Sequence, residues 1–304
     1  AFGRACVLLA PTGRAAKVFA SYAAHPAYTI HKKIYRQRAF TGDFTGFQLA
    51  HNAHKNTFFI VDEASMIANE AAEGAHYGSG LLLDDLFDFV YSGAGCRLIL
   101  LGDTAQLPPV GQVRSPALDE DYLRRYGYLV FSCELTHVVR QVEESGVLFN
   151  ATRLRNAMQE NPLPVPSIAW RRFPDVNLVG GDELIEVLSS AYRRDGMDET
   201  IIVTRSNKRA NRYNEGIRRN VLYAEEEIES NDMLMVVKNN YYYTGHTENC
   251  PMHFIANGDI ARLKRLRRFE DFYGFRFANA VLEFPDYNDA EIECKILLDL
   301  SLIH

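Results

Sequence analysis

Phe58-Phe59-Ile60-Val61-Asp62-Glu63-Ala64-Ser65 ends a short apolar run on two adjacent carboxylates. The run is too short for an ordinary helix and is rich in Phe, Ile and Val, which predicts a buried strand. A carboxylate at the carboxyl end of such a strand sits where open parallel sheets bind ligands. Further along, Leu98-Ile99-Leu100-Leu101-Gly102-Asp103, followed by Gln106-Leu107-Pro108-Pro109, repeats the design. The two strand ends together point to nucleotide hydrolysis. Asp62 can hold Mg²⁺, and Glu63, one residue past the sheet, can orient or deprotonate the water that attacks a terminal phosphate. Asp-Glu after an apolar run is also an ordinary strand cap, so the weight of this reading comes from its neighbours.

Bulk properties bound the answer. At 304 residues and 47% hydrophobic composition the chain can bury a sizeable core, and its length suggests two domains. A net charge of −6 argues against coating nucleic acid by global charge, so any polyanion site must be local. The 5 cysteines are odd in number and lack CxxC spacing, which fits reduced thiols in a cytoplasmic protein. No apolar run approaches a membrane span and no signal peptide is recognisable. Ala1-Phe2-Gly3-Arg4-Ala5 has no initiator Met and runs straight into an apolar stretch, which leads us to expect a fragment.

Alternating strands and helices organise the first half. Strands are predicted at 6–10, 58–61, 98–101 and 128–131, with a helix at 15–23. This order implies a parallel, doubly wound α/β sheet in a first lobe, residues 1–135. A helix at 146–158 follows, then a proline-stiffened connection at 161–166. Helix 182–192, strand 200–204 and helix 208–219 suggest a second α/β lobe, residues 136–232. From 233 to 304 short β-like runs at 233–237, 260–263, 280–284 and 292–298 suggest a small β-rich insert.

Several constellations carry chemistry. In Ala10-Pro11-Thr12-Gly13-Arg14-Ala15-Ala16-Lys17 a turn separates strand from helix and leaves backbone N–H groups free at a positive helix start, which suits phosphate. Thr29-Ile30-His31-Lys32-Lys33 offers a hydroxyl, an imidazole and cations to a phosphodiester backbone. Equally, Thr29 reads as a plain helix cap. Gln106, on a proline-stiffened loop, can donate and accept and so report a terminal phosphate to a second ligand. Arg140, at the lobe boundary, is positioned as an arginine finger or as a surface ion pair.

Pro-Thr-Gly-Arg-Ala-Ala-Lys, Thr-Ile-His, Val-Asp-Glu-Ala-Ser-Met, Gly-Asp-Thr-Ala-Gln-Leu-Pro-Pro-Val-Gly and Val-Arg-Gln, in that order, resemble the ordered motifs of superfamily 1B DNA helicases of the RecD type. The resemblance continues through Ile202 to Asn207 and through Asn257-Gly258-Asp259, and so covers nearly the whole chain. It implies two RecA-like lobes with a small β-barrel insert in the second. It implies ATP and Mg²⁺ as cofactors, with Asp62 and Glu63 serving metal and water, Gln106 coupling nucleotide state to DNA, and Arg140 on the γ-phosphate. Pro11, Thr12, Gly13, Arg14, Thr29, His31, Thr204 and Asn207 are then expected along single-stranded DNA, with other subunits of a recombination or repair complex as partners. The sequence contains no G-x-x-x-x-G-K-[ST], and family order puts that phosphate loop upstream of Ala1. Weak single-strand binding and negligible ATP hydrolysis are therefore expected of this stretch by itself.

Rival readings stay open at this stage. Asp286, Glu293 and Lys295 fit the P-D…E-x-K pattern of Mg²⁺-dependent nucleases. His246, Cys250 and His253 have the spacing of soft-metal ligands or of a polar loop. Arg262, Lys264, Arg265, Arg267 and Arg268 form a basic cluster that suits phosphates or a solvated strand face. A catalytically dead DNA-binding clamp is the remaining alternative.

Overall fold

A computed structural model describes residues 3–37, 47–70, 78–136, 145–160, 164–197, 199–238, 240, 242–245, 252, 255 and 257–298. The chain divides into two compact units, one of Ala1–Glu134 with Ser230–His304, the other of Leu135–Glu229.

The first unit opens with β1 (Cys6–Ala10), α1 (Gly13–Ala23), β2 (Ala27–Thr29) and α2 (Ile30–Ile34). A short antiparallel pair, β3 (Tyr35–Gln37) and β4 (Phe47–Leu49), precedes β5 (Phe58–Val61), α3 (Leu82–Ser92), β6 (Arg97–Leu100) and α4 (Glu120–Arg124). Strands β2, β1, β5 and β6 form a parallel sheet in that order, in register Leu9↔Val61 and Val61↔Leu100. The mixed α/β unit with a parallel sheet is as the apolar runs imply. The central strands have both faces covered, which explains their unbroken apolar sequence. Val7, Leu9, Phe59 and Val61 pack with Ile30, Ile34, Leu86 and Val90 on the α2–α3 side. Leu8 and Ala10 point the other way, toward α1, whose buried residue is Ala16.

Residues 128–131 are not a strand. Nothing pairs with their backbone among the described residues, and a strand without a neighbour leaves its polar groups unsatisfied. Leu129 and Phe131 are left 81% and 86% exposed. Aromatic stacking fixes the segment instead: Tyr126 lies 4.3 Å from Phe87 and Tyr128 lies 4.0 Å from Tyr91, both rings on α3.

The rest of this unit is β7 (Met233–Met235), α8 (Tyr242–Gly245), β8 (Ile260–Phe272), β9 (Phe275–Phe284) and β10 (Ala290–Leu297), reached through the helices of the other unit. The strands make an antiparallel sheet in the order β10-β9-β8-β7. Among the described residues this is an open sheet and not the closed barrel expected. It also belongs to the unit that holds the parallel sheet, whereas the sequence assigned it to the second lobe. Tyr273 and Gly274, with φ of 51° and 77°, make the tight turn between β8 and β9 that such right-twisted hairpins favour. One face buries Leu263, Ala278, Ala280, Leu282, Ile292 and Cys294, and burial pushes the Cys294 thiol up to about 11.

The second unit holds α5 (Gly146–Ala157), α6 (Leu184–Arg194) and α7 (Asn207–Asn220). Asp175 fastens α5 by accepting from Ser145 Oγ at 3.0 Å and from the Gly146 N–H at 3.0 Å. Asn150 ties the same helix to the backbone of Ala169, donating at 3.0 Å and accepting at 2.7 Å. No strand occurs among its described residues, so the parallel sheet expected of a second RecA-like lobe is not seen there. Residues 200–204 belong to no strand among the described residues, and Ile201 and Val203 are exposed.

Three phenols, one buried and two half-buried, set a pH limit. Tyr35 donates to Asp85 Oδ2 at 2.6 Å, Tyr126 donates to Asp84, and Tyr287 donates to Asp259 at 3.2 Å. Burial, then the carboxylate partner, raises each above its ordinary value of 10.0. A raised folded pKa contributes stability that is complete below the unfolded pKa and is lost as pH climbs past it. Lys17, Lys32 and Lys33, lowered by burial, titrate there with the opposite sign. The urea midpoint is therefore expected to fall above pH about 10, and to fall less in Tyr35→Phe than in the parent. A midpoint with the same alkaline slope in both chains would count against the buried phenol.

Candidate active site

All four strands of the parallel sheet point the same way, so the loops that follow them emerge along one carboxyl edge. The β1–α1 connection leads toward β2, while β5, on the other side of β1, leads on to β6. The edge between β1 and β5 is thus a topological switch point, where open α/β sheets leave a crevice. The residues singled out after β1, β2, β5 and β6 all arrive at this edge.

After β1, Pro11, Thr12 and Gly13 turn the chain into α1 and Arg14 projects outward, exposed. Thr12 is the cap: its Oγ1 accepts from the Ala15 N–H at 3.2 Å. After β2, Thr29 plays the same part for α2, accepting from the Lys32 N–H at 3.2 Å. The cap reading of Thr29 therefore describes its hydroxyl. His31 is half-buried beside Tyr35, ring centres 5.7 Å apart, and burial lowers its pKa below the usual 6.5. At neutral pH it is therefore an uncharged imidazole.

After β5 the ladder extends one residue further, the Asp62 N–H donating to Leu9 O at 2.9 Å. Asp62 Oδ1 accepts from the Glu63 N–H at 2.9 Å. Glu63 then takes a left-handed conformation, φ 55° and ψ 37°, which costs a residue with a Cβ about 1 kcal/mol or more. This bend carries the chain off the sheet into a short turn, Ala64–Met66, whose Ala64 N–H donates to Leu101 O at 2.8 Å. Ser115 Oγ secures the turn by donating to Ala64 O at 2.9 Å and to Ile67 O at 2.8 Å.

After β6, Asp103 shapes the loop by accepting from the Ala105 N–H at 2.9 Å, and the Gln106 N–H donates to Asp103 O at 3.1 Å. Gln106 is exposed at the mouth of a cleft of about 230 Å³ lined by Ser65, Asp103, Pro108, Arg114 and Asp119. Ser65 Oγ is buried there with no partner among the described residues. Gly102 permits the close approach: a methyl group on it would lie 3.0 Å from the Ser65 nitrogen and 2.8 Å from Leu118 Cδ1. The turn after β5 and the loop after β6 thus pack directly on each other.

Other expected residues fall elsewhere. Arg140 lies outside the described residues, as do His246, Cys250 and His253. Thr204 and Asn207 belong to the helical unit, where Thr204 Oγ1 donates to Ser206 O at 3.1 Å and Asn207 opens α7. The nuclease reading is not supported: Asp286 faces Lys17 at 3.0 Å, Glu293 faces Arg267 at 2.6 Å, and Lys295 faces Glu270 at 2.6 Å. Among the described residues no three carboxylate, His or Cys groups cluster as metal ligands.

Lys17 is the residue that sequence reasoning passed over. On α1, one turn beyond Arg14, its Nζ lies 4.3 Å above the Tyr287 ring, and burial lowers its pKa against the pull of Asp259. Asp259 itself is 2% exposed. The helix behind the Pro11–Gly13 turn is thereby tied to the β-rich sheet. Only a fold that brings residues 17, 259 and 287 together reveals the contact; their separate neighbourhoods carry no signal for it.

The AAA domain family model matches residues 1–161, just over half of the chain.

Proposed function

We propose, from the premise that the chain belongs to the AAA domain family, a P-loop NTPase family that includes RecD-like helicases, that it works in an ATP-dependent DNA helicase or translocase acting on single-stranded DNA in repair or recombination. The observation that carries this reading is the convergence of four motif-bearing loops on the carboxyl edge of one parallel sheet, at its switch point. In this reading β5 and β6 present the nucleotide-facing groups and β1 and β2 the strand-facing ones.

The donor set at β5 fits Mg²⁺, which keeps most of its waters and takes one or two protein carboxylates besides the phosphates. Asp62, half-exposed and oriented by the Glu63 N–H, is such a carboxylate. When bound, the ion would neutralise charge building on the phosphate oxygens. Glu63, held off the sheet by its left-handed backbone, accepts the proton of the attacking water. Gln106, on the loop that packs against the Ala64–Met66 turn, senses the same event and shifts that loop. Arg140 supplies the remaining positive charge. Toward the strand, Pro11 to Arg14 and His31 offer backbone N–H groups, a guanidinium and a neutral imidazole donor, and Thr204 and Asn207 are the strand-contacting residues proposed for the helical unit.

The phosphate cradle is a separate matter, because the sequence contains no G-x-x-x-x-G-K-[ST]. The chain as given is expected to bind a fluorescent single-stranded oligonucleotide weakly, with affinity falling as salt rises, and to hydrolyse ATP at background rate. Anisotropy titration and a phosphate-release assay check both. Tight, salt-insensitive binding would overturn the strand assignment, and robust turnover would contradict the account of the missing phosphate loop.

A further inference from the structure

The antiparallel sheet ends in a hairpin tip with exposed aromatic residues, whose chemistry the carboxyl-edge site does not use. Among the described residues the neighbouring segments stop short of the apex: past the β10 ladder the Leu298 N–H still donates to Arg276 O at 2.9 Å, and the segment leading into β7 bonds to β8 as far as Leu263. Residues directly opposite one another share a face, and the register pairs Arg265 with Val281, Arg268 with Asn279 and Phe272 with Phe275. Arg265, Arg268, Glu270 and Phe272 therefore line one face of β8 in a row leading to the apex, Tyr273, with the Glu270 carboxylate taken up by Lys295 at 2.6 Å and Asn279 at 2.8 Å.

Ion pairs claim four of the cations of the sheet. Arg262 and Lys264 face Glu283, at 3.5 and 2.6 Å, Arg267 faces Glu293, and Lys295 faces Glu270. Arg265 and Arg268 are exposed and take part in no ion pair or hydrogen bond among the described residues. At the apex Phe272 and Tyr273 are 60% and 85% exposed and touch edge-to-face at 4.4 Å. Two aromatic rings held in the open cost solvation, and the left-handed backbone at Tyr273, φ 51°, fixes the outermost one in place.

We infer that this tip is a stacking platform for unpaired nucleobases, Phe272 and Tyr273 taking bases while Arg265 and Arg268 take the phosphates between them. Aromatic faces accept any base, and uncommitted guanidinium groups in line with them follow the backbone. In a chain of net charge −6, a row of uncommitted cations favours a polyanion. A second copy docking here face to face would set like cations against each other. The inference rests on the single-strand reading above but adds a site that the carboxyl-edge residues do not include.

The test uses the whole chain and a single strand carrying 2-aminopurine, whose fluorescence is quenched when it stacks. The parent is expected to bind and quench. Phe272→Leu with Tyr273→Leu, which keeps apolar bulk and removes the rings, should weaken binding by roughly five- to hundredfold per base released and abolish the quench. Arg265→Ser with Arg268→Ser should lower the slope of log affinity against log salt by about 1.4. All four side chains are exposed, so unchanged thermal unfolding accompanies these effects. Variants that bind, quench and respond to salt like a binding parent overturn the platform alone. A parent that binds no strand sinks the single-strand reading as well. Variants that alter sedimentation and not strand binding make the tip a contact between copies, and the inference falls.

Discussion

Glu63→Gln is expected to lower kcat for ATP by about 10²–10⁴-fold in a polypeptide that carries a phosphate-binding loop together with this sheet. The amide keeps the size and hydrogen-bonding reach of the side chain but cannot take a proton from water. Nucleotide affinity should change little, because in this account Asp62 and not Glu63 meets the metal. The backbone makes the test sharper. Glu63 occupies a left-handed conformation with φ 55°, which glycine adopts without steric cost. Glu63→Gly is therefore expected to be no less stable than the parent, and up to about 1 kcal/mol more stable, while losing turnover to the same degree. Urea midpoints and steady-state rates on the same preparations separate the two effects. Turnover within tenfold of the parent in both variants would remove Glu63 from the mechanism.

Phe59→Ala should produce the largest loss of stability, about 3–5 kcal/mol. Phe59 is fully buried in β5, between Val7 of β1 and Leu98 of β6 in the ladder. Its ring packs edge-on against Phe89 at 5.8 Å and against His54 at 5.4 Å. Alanine leaves a void beneath the strand that presents Asp62, and the surrounding parallel sheet has little freedom to collapse into it. The chain is expected to melt lower by about 2–4 °C for each kcal/mol lost. Phe59→Leu, which fills part of the void, should lose less than half as much. Equal losses for the two variants would argue that ring packing here is not what holds the sheet.

How much of this was legible beforehand depends on where each residue's partner lies. Cys6–Ala10 and Phe58–Val61 were readable as strands because a centrally placed parallel strand is apolar on both faces, a property of the run itself. Residues 128–131 and 200–204 have equally suitable side chains but no paired neighbour, and pairing is not written in the run. β8 was read too short, as 260–263, because the charged run Lys264 to Arg268 lacks the apolar pattern that marks a strand. Lys264 and Arg267 are instead matched to Glu283 and Glu293 on neighbouring strands, and two register shifts accommodate the run. At the carboxyl edge the sequence could name Asp62, Glu63 and Gln106. It could not show the left-handed turn at Glu63, the packing of Gly102 on Ser65, or the hold of Tyr287 on Lys17, each of which depends on residues far apart in the chain.

The central claim is that the carboxyl edge of the parallel sheet is the working surface of the protein, with the β1 and β2 loops facing a nucleic-acid strand. Amide hydrogen exchange with and without a single-stranded oligonucleotide at low salt tests it most directly. The account predicts added protection in peptides covering Pro11 to Lys17 and Thr29 to Lys33, lost again when salt is raised. Unchanged exchange at both loops, under conditions where the oligonucleotide is demonstrably bound, would contradict it.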